Sequence, residues 1–152
     1  MFVISQLNFG DYLNEPCYSA AASLLPRPID LKSQHKHRGD FDVLLLHRRY
    51  GVLVGEVKSI GDQFSTLFPS ARLQDQKVAE KVKLAIRQLN RAEEVLSYLL
   101  SDQQRPPRIV KSLMMPNISS AQLQRTLDNN PKLRQVCAIL RCVSHQNILY
   151  VF

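Results

Sequence analysis

The chain has few cysteines, no long apolar run and no basic leader, and each absence excludes a class of protein. Its three cysteines, Cys17, Cys137 and Cys142, are an odd number without the spacing of a metal site. No apolar segment approaches the length that crosses a membrane. Residues 1–8 lack the basic n-region of a signal peptide. We therefore expect reduced thiols and an intracellular protein of the cytoplasm or the nucleus.

What the chain has in excess is positive charge. It contains 20 Lys and Arg against 13 Asp and Glu, a formal net charge of +7 over 152 residues. That length is usual for one domain with its own core, and we find no repeat or second domain. A basic surface suits nucleic acid, because contacts between cations and phosphates release counterions. A basic protein that binds no nucleic acid is the alternative on charge alone.

The most informative segment is residues 42–58, where two apolar runs flank a polar turn that contains a glycine. Asp42 stands at the entrance of the first run, and Glu56 and Lys58 stand at the exit of the second. Charges at the ends of apolar strands are costly to bury unless they are paired, hydrated or bound to metal. Three such residues on one predicted hairpin indicate a site.

The turn decides which of these side chains share a face. Residues 48–51 fit a type I turn that ends in a left-handed Gly51, which gives a three-residue hairpin loop with a bulge. This register predicts three facing pairs: Arg48 with Val52, Leu44 with Glu56, and Asp42 with Lys58. Because side chains alternate with a period of two, Asp42, Glu56 and Lys58 are expected on one face at the open end of the hairpin.

Two carboxylates and an ammonium group in one place suit phosphodiester hydrolysis. Carboxylate oxygens are the ligands that Mg²⁺ and Mn²⁺ prefer. Such an ion can bind a phosphate oxygen and lower the pKa of a bound water. A neighbouring lysine can orient the attacking water or neutralise the transition state.

The same residues resemble those of a known superfamily. An Asp on one strand and Glu-x-Lys on the next are the signature of the PD-(D/E)xK nucleases, which share a restriction-endonuclease-like core. Residues 39–44, Gly-Asp-Phe-Asp-Val-Leu, look like the entry segment of the nuclease-related NERD branch and of resolvase-like members. Residues 55–58, Gly-Glu-Val-Lys, match the second half of the motif. The resemblance implies an α/β fold, a central mixed β-sheet flanked by helices in the order αβββαβ.

The resemblance also implies roles for individual residues. Asp42 and Glu56 would bind Mg²⁺ or Mn²⁺, with the main-chain carbonyl of Val57 nearby, and Lys58 would be the catalytic lysine. Nucleic acid, DNA or RNA, would be the partner.

Three further residues are site candidates through the same resemblance. Several branches carry an accessory acid on the first helix, which makes Glu15 a candidate; as an alternative, Glu15 only complements the helix dipole. Asp40 stands where the relatives often carry Glu and is a second accessory acid. RecB-like members have a Gln followed four residues later by an aromatic residue, and Gln88 fits this pattern although Ala92 replaces the aromatic.

Two groups of basic residues are candidates for contact with phosphates. One is a loop that leads to the acids, formed by His35, Lys36, His37 and Arg38. The other is Lys77 and Lys81, beside the apolar face of a helix predicted over residues 72–100. A solvated loop and a solvated helix flank are the alternatives.

Periodicity and turn residues predict the remaining elements. They are a helix over 11–25, a strand over 29–32, a strand over 109–115, a helix capped by Ser119 or Ser120 that runs to about 127, and strands over 136–143 and 148–152. We expect residues 1–152 to form a single nuclease-like domain. Because the chain ends inside an apolar strand, that domain as a fragment of a longer protein stays open.

Together these observations favour a metal-dependent nuclease that hydrolyses DNA or RNA. Two alternatives stay open. In the first, the same fold binds nucleic acid or a protein without turnover, although two carboxylates without a metal would repel a phosphate. In the second, Asp42, Glu56 and Lys58 form a surface ion-pair cluster of little energetic value.

Overall fold

The computed structural model describes residues 1–9, 16, 20, 24, 39–61, 67–138, 141–144 and 148–150. Within them, six strands and three helices have defined bounds. The strands are β1 (Phe2–Asn8), β2 (Asp40–His47), β3 (Gly51–Val57), β4 (Ile109–Met115), β5 (Arg141–Ser144) and β6 (Ile148–Tyr150). The helices are α1 (Ala71–Leu99), α2 (Ser120–Asp128) and α3 (Pro131–Cys137).

The strands form an open mixed sheet in the order β1-β2-β3-β4-β5-β6. The pairs β1–β2, β2–β3 and β5–β6 are antiparallel, and β4–β5 is parallel. Between β3 and β4, Val52 N donates to Arg108 O and Lys58 N donates to Met114 O, each at 2.9 Å. Residue numbers rise together along these two strands, so they are parallel. The predicted α/β class and the mixed sheet are confirmed.

The chain divides into two compact units. The first comprises Met1–Gly55 and Gln88–Val110, and the second comprises Glu56–Arg87 and Lys111–Phe152. The first unit contains β1, β2, most of β3 and the second part of α1. The second unit contains the first part of α1, most of β4, and all of α2, α3, β5 and β6.

The hairpin of β2 and β3 forms with a three-residue loop, as predicted, but in a different register. His47 pairs with Gly51, and Leu44 lies opposite Val54 rather than Glu56. The predicted pairing of Arg48 with Val52 is also wrong, because Val52 pairs with Leu46. The predicted pairing of Asp42 with Lys58 belongs to the same register and loses its basis. The His47 side chain accounts for this register. Its Nδ1 accepts hydrogen bonds from the main-chain N–H groups of Arg49, at 3.2 Å, and Tyr50, at 3.1 Å.

Gly51 is required at the end of this turn for two reasons. Its φ of +89° is the left-handed conformation that the sequence predicts. A Cβ at this position would also collide with the carbonyl oxygen of Arg108. The glycine therefore permits both the turn and the close approach of the chain just before β4.

We expect Gly51→Ala to lower the free energy of unfolding by about 1–3 kcal/mol, because the substitution adds backbone strain and a steric clash with a main-chain atom. Urea unfolding measures the effect. The matched control is Gly61→Ala, since a Cβ at Gly61 would meet no atom within 4 Å. Equal losses in the two variants would contradict the proposed role of Gly51.

Helix α1 agrees with its prediction to within one residue at each end. Its apolar stripe is buried at Val78, Val82, Ala85, Leu89, Ala92 and Leu96. Strand β4 has the predicted bounds, and α2 begins after Ser119, whose Oγ accepts from Gln122 N at 3.2 Å. No helix among the described residues is long and apolar enough to cross a membrane.

Two elements differ from the sequence-based expectation. The sequence does not predict β1, since its exposed Phe2 and Val3 break the alternation that marks a half-buried strand. The strand predicted over 136–143 is wrong at its start, because α3 occupies Pro131–Cys137 and only Arg141–Ser144 is extended. Proline is favourable in a first helical turn, and Leu133 and Cys137, four residues apart, are both buried.

Some predictions lie outside the described residues. Of the helix predicted over 11–25, only Pro16 and Ala20, both helical, and Leu24 are described. The strand predicted over 29–32 is not among the described residues, nor is the end of the strand predicted over 148–152.

A buried carboxylate in the second unit joins α1 to α2. Asp75 is 6% exposed and accepts hydrogen bonds from Arg125 Nε at 3.0 Å, Thr126 Oγ1 at 3.1 Å and Asn129 Nδ2 at 3.1 Å. Burial alone would raise the pKa of Asp75, but these hydrogen bonds and the charge of Arg125 outweigh it and hold the pKa below 3.8. The folded chain therefore favours the ionised form.

We expect Asp75→Asn to lower the free energy of unfolding at pH 7 by about 1–3 kcal/mol, because charged hydrogen bonds are lost at a buried position. Asp75 has a depressed pKa, so its stabilisation is complete above the unfolded value of 3.8 and is lost as pH falls through the folded value. The two proteins should therefore converge in urea unfolding as pH drops below about 4. The control is Asp128→Asn, whose exposed pair with Arg134 is worth little.

Candidate functional site

Glu56 is a buried charge at the end of β3. On this strand Val52, Val54 and Glu56 are each at most 5% exposed; Gly55 is also buried, whereas Leu53 and Val57 are more exposed. Glu56 therefore occupies a position that the alternation assigns to an apolar side chain. Burying a carboxylate is expensive unless a partner compensates.

Lys58 supplies that compensation. Its Nζ donates to Glu56 Oε1, and its own main-chain N–H is held by Met114 O at 2.9 Å. The two residues are separated by one position, so both side chains leave the strand on the same face. The Lys58 side chain is 16% exposed and the Glu56 side chain is 3% exposed. The structure therefore brings the Glu-x-Lys half of the predicted site together.

Asp42 lies in the first unit, on β2, and its side chain is half-buried. The observed register differs from the predicted one by two residues, and a shift by an even number leaves every side chain on its expected face. That Asp42 shares a face with Glu56 and Lys58 stays a prediction. The distance between Asp42 and Glu56 stays a prediction.

A cavity in the first unit brings together two other predicted residues, Asp40 and Gln88. Its volume is about 160 Å³, and Phe9, Gly39 and Arg91 complete its lining. Gln88 Oε1 is buried, and among the described residues it has no hydrogen-bond partner. A buried acceptor without a donor costs about 1–3 kcal/mol. A ligand that carries an N–H or O–H group would satisfy it.

The sequence offers no signal for Phe9 as part of this cavity. Phe9 is 1% exposed and packs edge-on against Phe41, with ring centroids 4.6 Å apart. Gly39 has a φ of +137°, and a Cβ there would lie 2.8 Å from Phe9 Cε2. Gly39 thus makes room for the Phe9 ring. In the sequence, the only sign of this contact is a glycine that precedes a strand.

The two predicted basic residues of α1 have different surroundings. Lys77 Nζ donates to Glu80 Oε2 at 2.8 Å and lies 5.9 Å from the centroid of the Phe68 ring. Lys81 is exposed, and within the described part of the chain it forms no ion pair. Lys81 is therefore the more accessible cation for a phosphate.

Several candidates fall outside the residues that the structure describes. They are Glu15 and the basic loop of His35, Lys36, His37 and Arg38, all of which stay predictions. Across the described residues, no group of three or more His, Cys, Asp or Glu side chains is arranged to hold a metal ion. The predicted ligand set has two carboxylates and one main-chain carbonyl.

Comparison of the chain with protein-family models, with curated proteins and with solved structures found no match.

Proposed function

We propose that this chain is a metal-dependent nuclease of the PD-(D/E)xK type, which hydrolyses phosphodiester bonds of DNA or RNA. The observation that carries the proposal is the buried Glu56 carboxylate at the end of β3, held by the Lys58 ammonium on the same face. Buried ion pairs stabilise a fold poorly because desolvation offsets their attraction. Their presence at the end of a strand is better explained by a chemical role.

Part of the element order supports the same proposal. The strands β2 and β3 precede the long helix α1, and β4 follows it, as in the strand–strand–helix–strand part of the αβββαβ core that the motif resembles. The first helix and first strand of that core, predicted over 11–25 and 29–32, lie largely outside the described residues, and β1 precedes both. Helix α1 connects β3 to β4, and such a crossover between parallel strands is a usual place for a helix. The finer restriction-endonuclease-like arrangement is part of the proposal.

The donor set of the proposed site fits a hard divalent ion. Asp42 and Glu56 offer carboxylate oxygens, and Val57 offers a main-chain carbonyl, which are ligands that Mg²⁺ and Mn²⁺ accept. When bound, such an ion would activate a water and neutralise phosphate charge. Glu15 and Asp40 are the proposed accessory acids.

Lys58 has the central part in the reaction itself. In the free protein its ammonium neutralises Glu56, and in the complex the same group would contact a non-bridging phosphate oxygen or the attacking water. Gln88 would position the substrate or the water through its unsatisfied Oε1. Lys77, Lys81 and the basic loop of residues 35–38 would hold the backbone of the nucleic acid.

The experiment is incubation of the chain with a panel of labelled single- and double-stranded DNA and RNA, with and without Mn²⁺. We expect cleavage that requires the ion and is lost in Glu56→Gln. The matched control is Glu94→Gln, an exposed acid on α1. Binding without any cleavage, equal with and without Mn²⁺, would instead support the silent binding module.

A further inference from the structure

A groove in the second unit is not used by the proposed function. It has a volume of about 460 Å³, within the range of about 300–1,000 Å³ that is usual for binding pockets. Three residues of α1 and three of α3 line it: Lys83, Ile86, Arg87, Lys132, Leu133 and Val136. We call this feature the cationic groove.

Each of the two helices contributes one row of side chains to the lining of the cationic groove. Lys83 and Arg87 are four residues apart on α1 and therefore lie one turn from each other on the same face. Lys132 and Val136 have the same spacing on α3. Between the rows, Ile86 and Leu133 are buried, and Val136 is 45% exposed. The result is an aliphatic strip, open to solvent at Val136, with three cations along its edges.

The described residues provide no acidic partner for these cations. In the described part of the chain, Lys83, Arg87 and Lys132 form no ion pair, whereas other cations of this unit do: Lys77, Arg125 and Arg134. Like charges four residues apart on a helix repel each other. Lys132 also lies in the first turn of α3, which contains no acid, and the helix dipole disfavours a cation there. Local costs of this kind are typical of functional surfaces.

We propose that the cationic groove is a docking site for an acidic amphipathic helix of a partner protein. The aliphatic side chains of that helix cover the strip, and its carboxylates pair with the three cations. Helices bind protein grooves through apolar anchors spaced three and four residues apart, and complementary charge sets orientation and encounter rate.

Two observations favour a protein partner over nucleic acid at this position. The lining of the cationic groove contains no aromatic side chain, so it offers no surface on which a base could stack. At about 100° per residue, Lys83 and Arg87 also lie on the opposite edge of the buried arc of α1 from Lys77 and Lys81. The groove is therefore separate from the proposed phosphate contacts of this helix.

The test is a titration of the ¹⁵N-labelled chain with a synthetic 14-residue helical peptide in which Leu recurs at three- and four-residue spacing and Glu flanks the Leu stripe. We expect the amide signals of residues 83–87 and 132–136 to shift, with an affinity that falls as salt rises. Arg87→Glu should weaken binding about tenfold, since a close charge pair across an interface is worth at least that much. Arg72→Glu, a charge reversal at an exposed position of the same helix roughly 22 Å from Arg87 along the axis, should leave the affinity unchanged.

Two comparisons make the result decisive. A peptide with Gln in place of Glu should bind more weakly than the acidic peptide, and a Lys-flanked peptide should bind Arg87→Glu better than it binds the natural chain. The proposal is wrong if the Gln and Glu peptides bind equally, or if Arg72→Glu weakens binding as much as Arg87→Glu. It is also wrong if a 14-nucleotide single strand shifts these signals and the acidic peptide does not. None of these outcomes depends on nuclease activity.

Discussion

Lys58→Ala is expected to lower the cleavage rate at saturating nucleic acid by about 10²–10⁴-fold, the usual size of one electrostatic or acid–base contribution. The main-chain N–H of Lys58 donates to Met114 O, which holds the Lys58 side chain on the same face as that of Glu56. Removing the side chain leaves that backbone contact in place, but it also takes the compensating cation from the buried Glu56 carboxylate and lowers the free energy of unfolding. In protein that urea unfolding shows to be folded, the loss should appear in the chemical step, measured as a single-turnover rate. Metal binding should persist, because an ammonium group is not a ligand.

Lys81→Ala is the matched control for Lys58→Ala and should show the reverse pattern. Lys81 is exposed and without an ion pair in the described residues, so its proposed contribution is to phosphate contact. Its removal should weaken affinity and reduce the slope of log binding constant against log salt concentration by about one. The rate at saturation should stay near normal. If both variants lose affinity and neither loses rate, Lys58 only contacts the nucleic acid and has no part in the chemical step.

Mn²⁺ is expected to raise the thermal stability of the chain, and Asp42→Ala should abolish the effect. A ligand that binds only the folded state adds about 2.7 kcal/mol when its concentration is a hundred times its dissociation constant. At the proposed site, the substitution removes one of the two carboxylate ligands and relieves the repulsion between them. The intrinsic stability without metal should therefore change little.

Asp102→Ala is the control for the metal response. Asp102 is an exposed acid in the turn after α1, and its side chain accepts a hydrogen bond from Gln103. Its variant should keep the full response to Mn²⁺. An Asp42→Ala protein that responds to Mn²⁺ as strongly as the natural chain would show that the ion binds elsewhere.

The sequence predicts elements whose signal is local and misses those that depend on the rest of the fold. Helix α1 carries an apolar residue every three or four positions over about six turns, and β4 is a short apolar run between breakers, so both have the predicted bounds within one residue. α3 shows the limit: Val136 and Cys137 are β-favouring by type, but burial of Leu133 and Cys137 on one helical face overrides that preference. In the hairpin, one side chain, His47, changed the register, and turn propensities do not include such a contact.

The candidate site divides in the same way. Glu56 and Lys58 are two positions apart on a strand, so their common face follows from the period of a strand alone. The partners of Asp75 lie about fifty residues away on α2, and no local pattern connects them. The cavity at Gln88 likewise depends on Phe9 and Gly39, which approach it from distant parts of the chain.

The hydrogen bond from Val52 N to Arg108 O has a consequence for the rate of folding. Its two residues are more than fifty positions apart, and in parallel strands no tight turn can bring them together. Chain entropy opposes such a closure until α1 has formed and shortened the connection. We therefore expect α1 to gain its structure early, and the tip of the β2–β3 hairpin to join β4 in the slow phase of refolding.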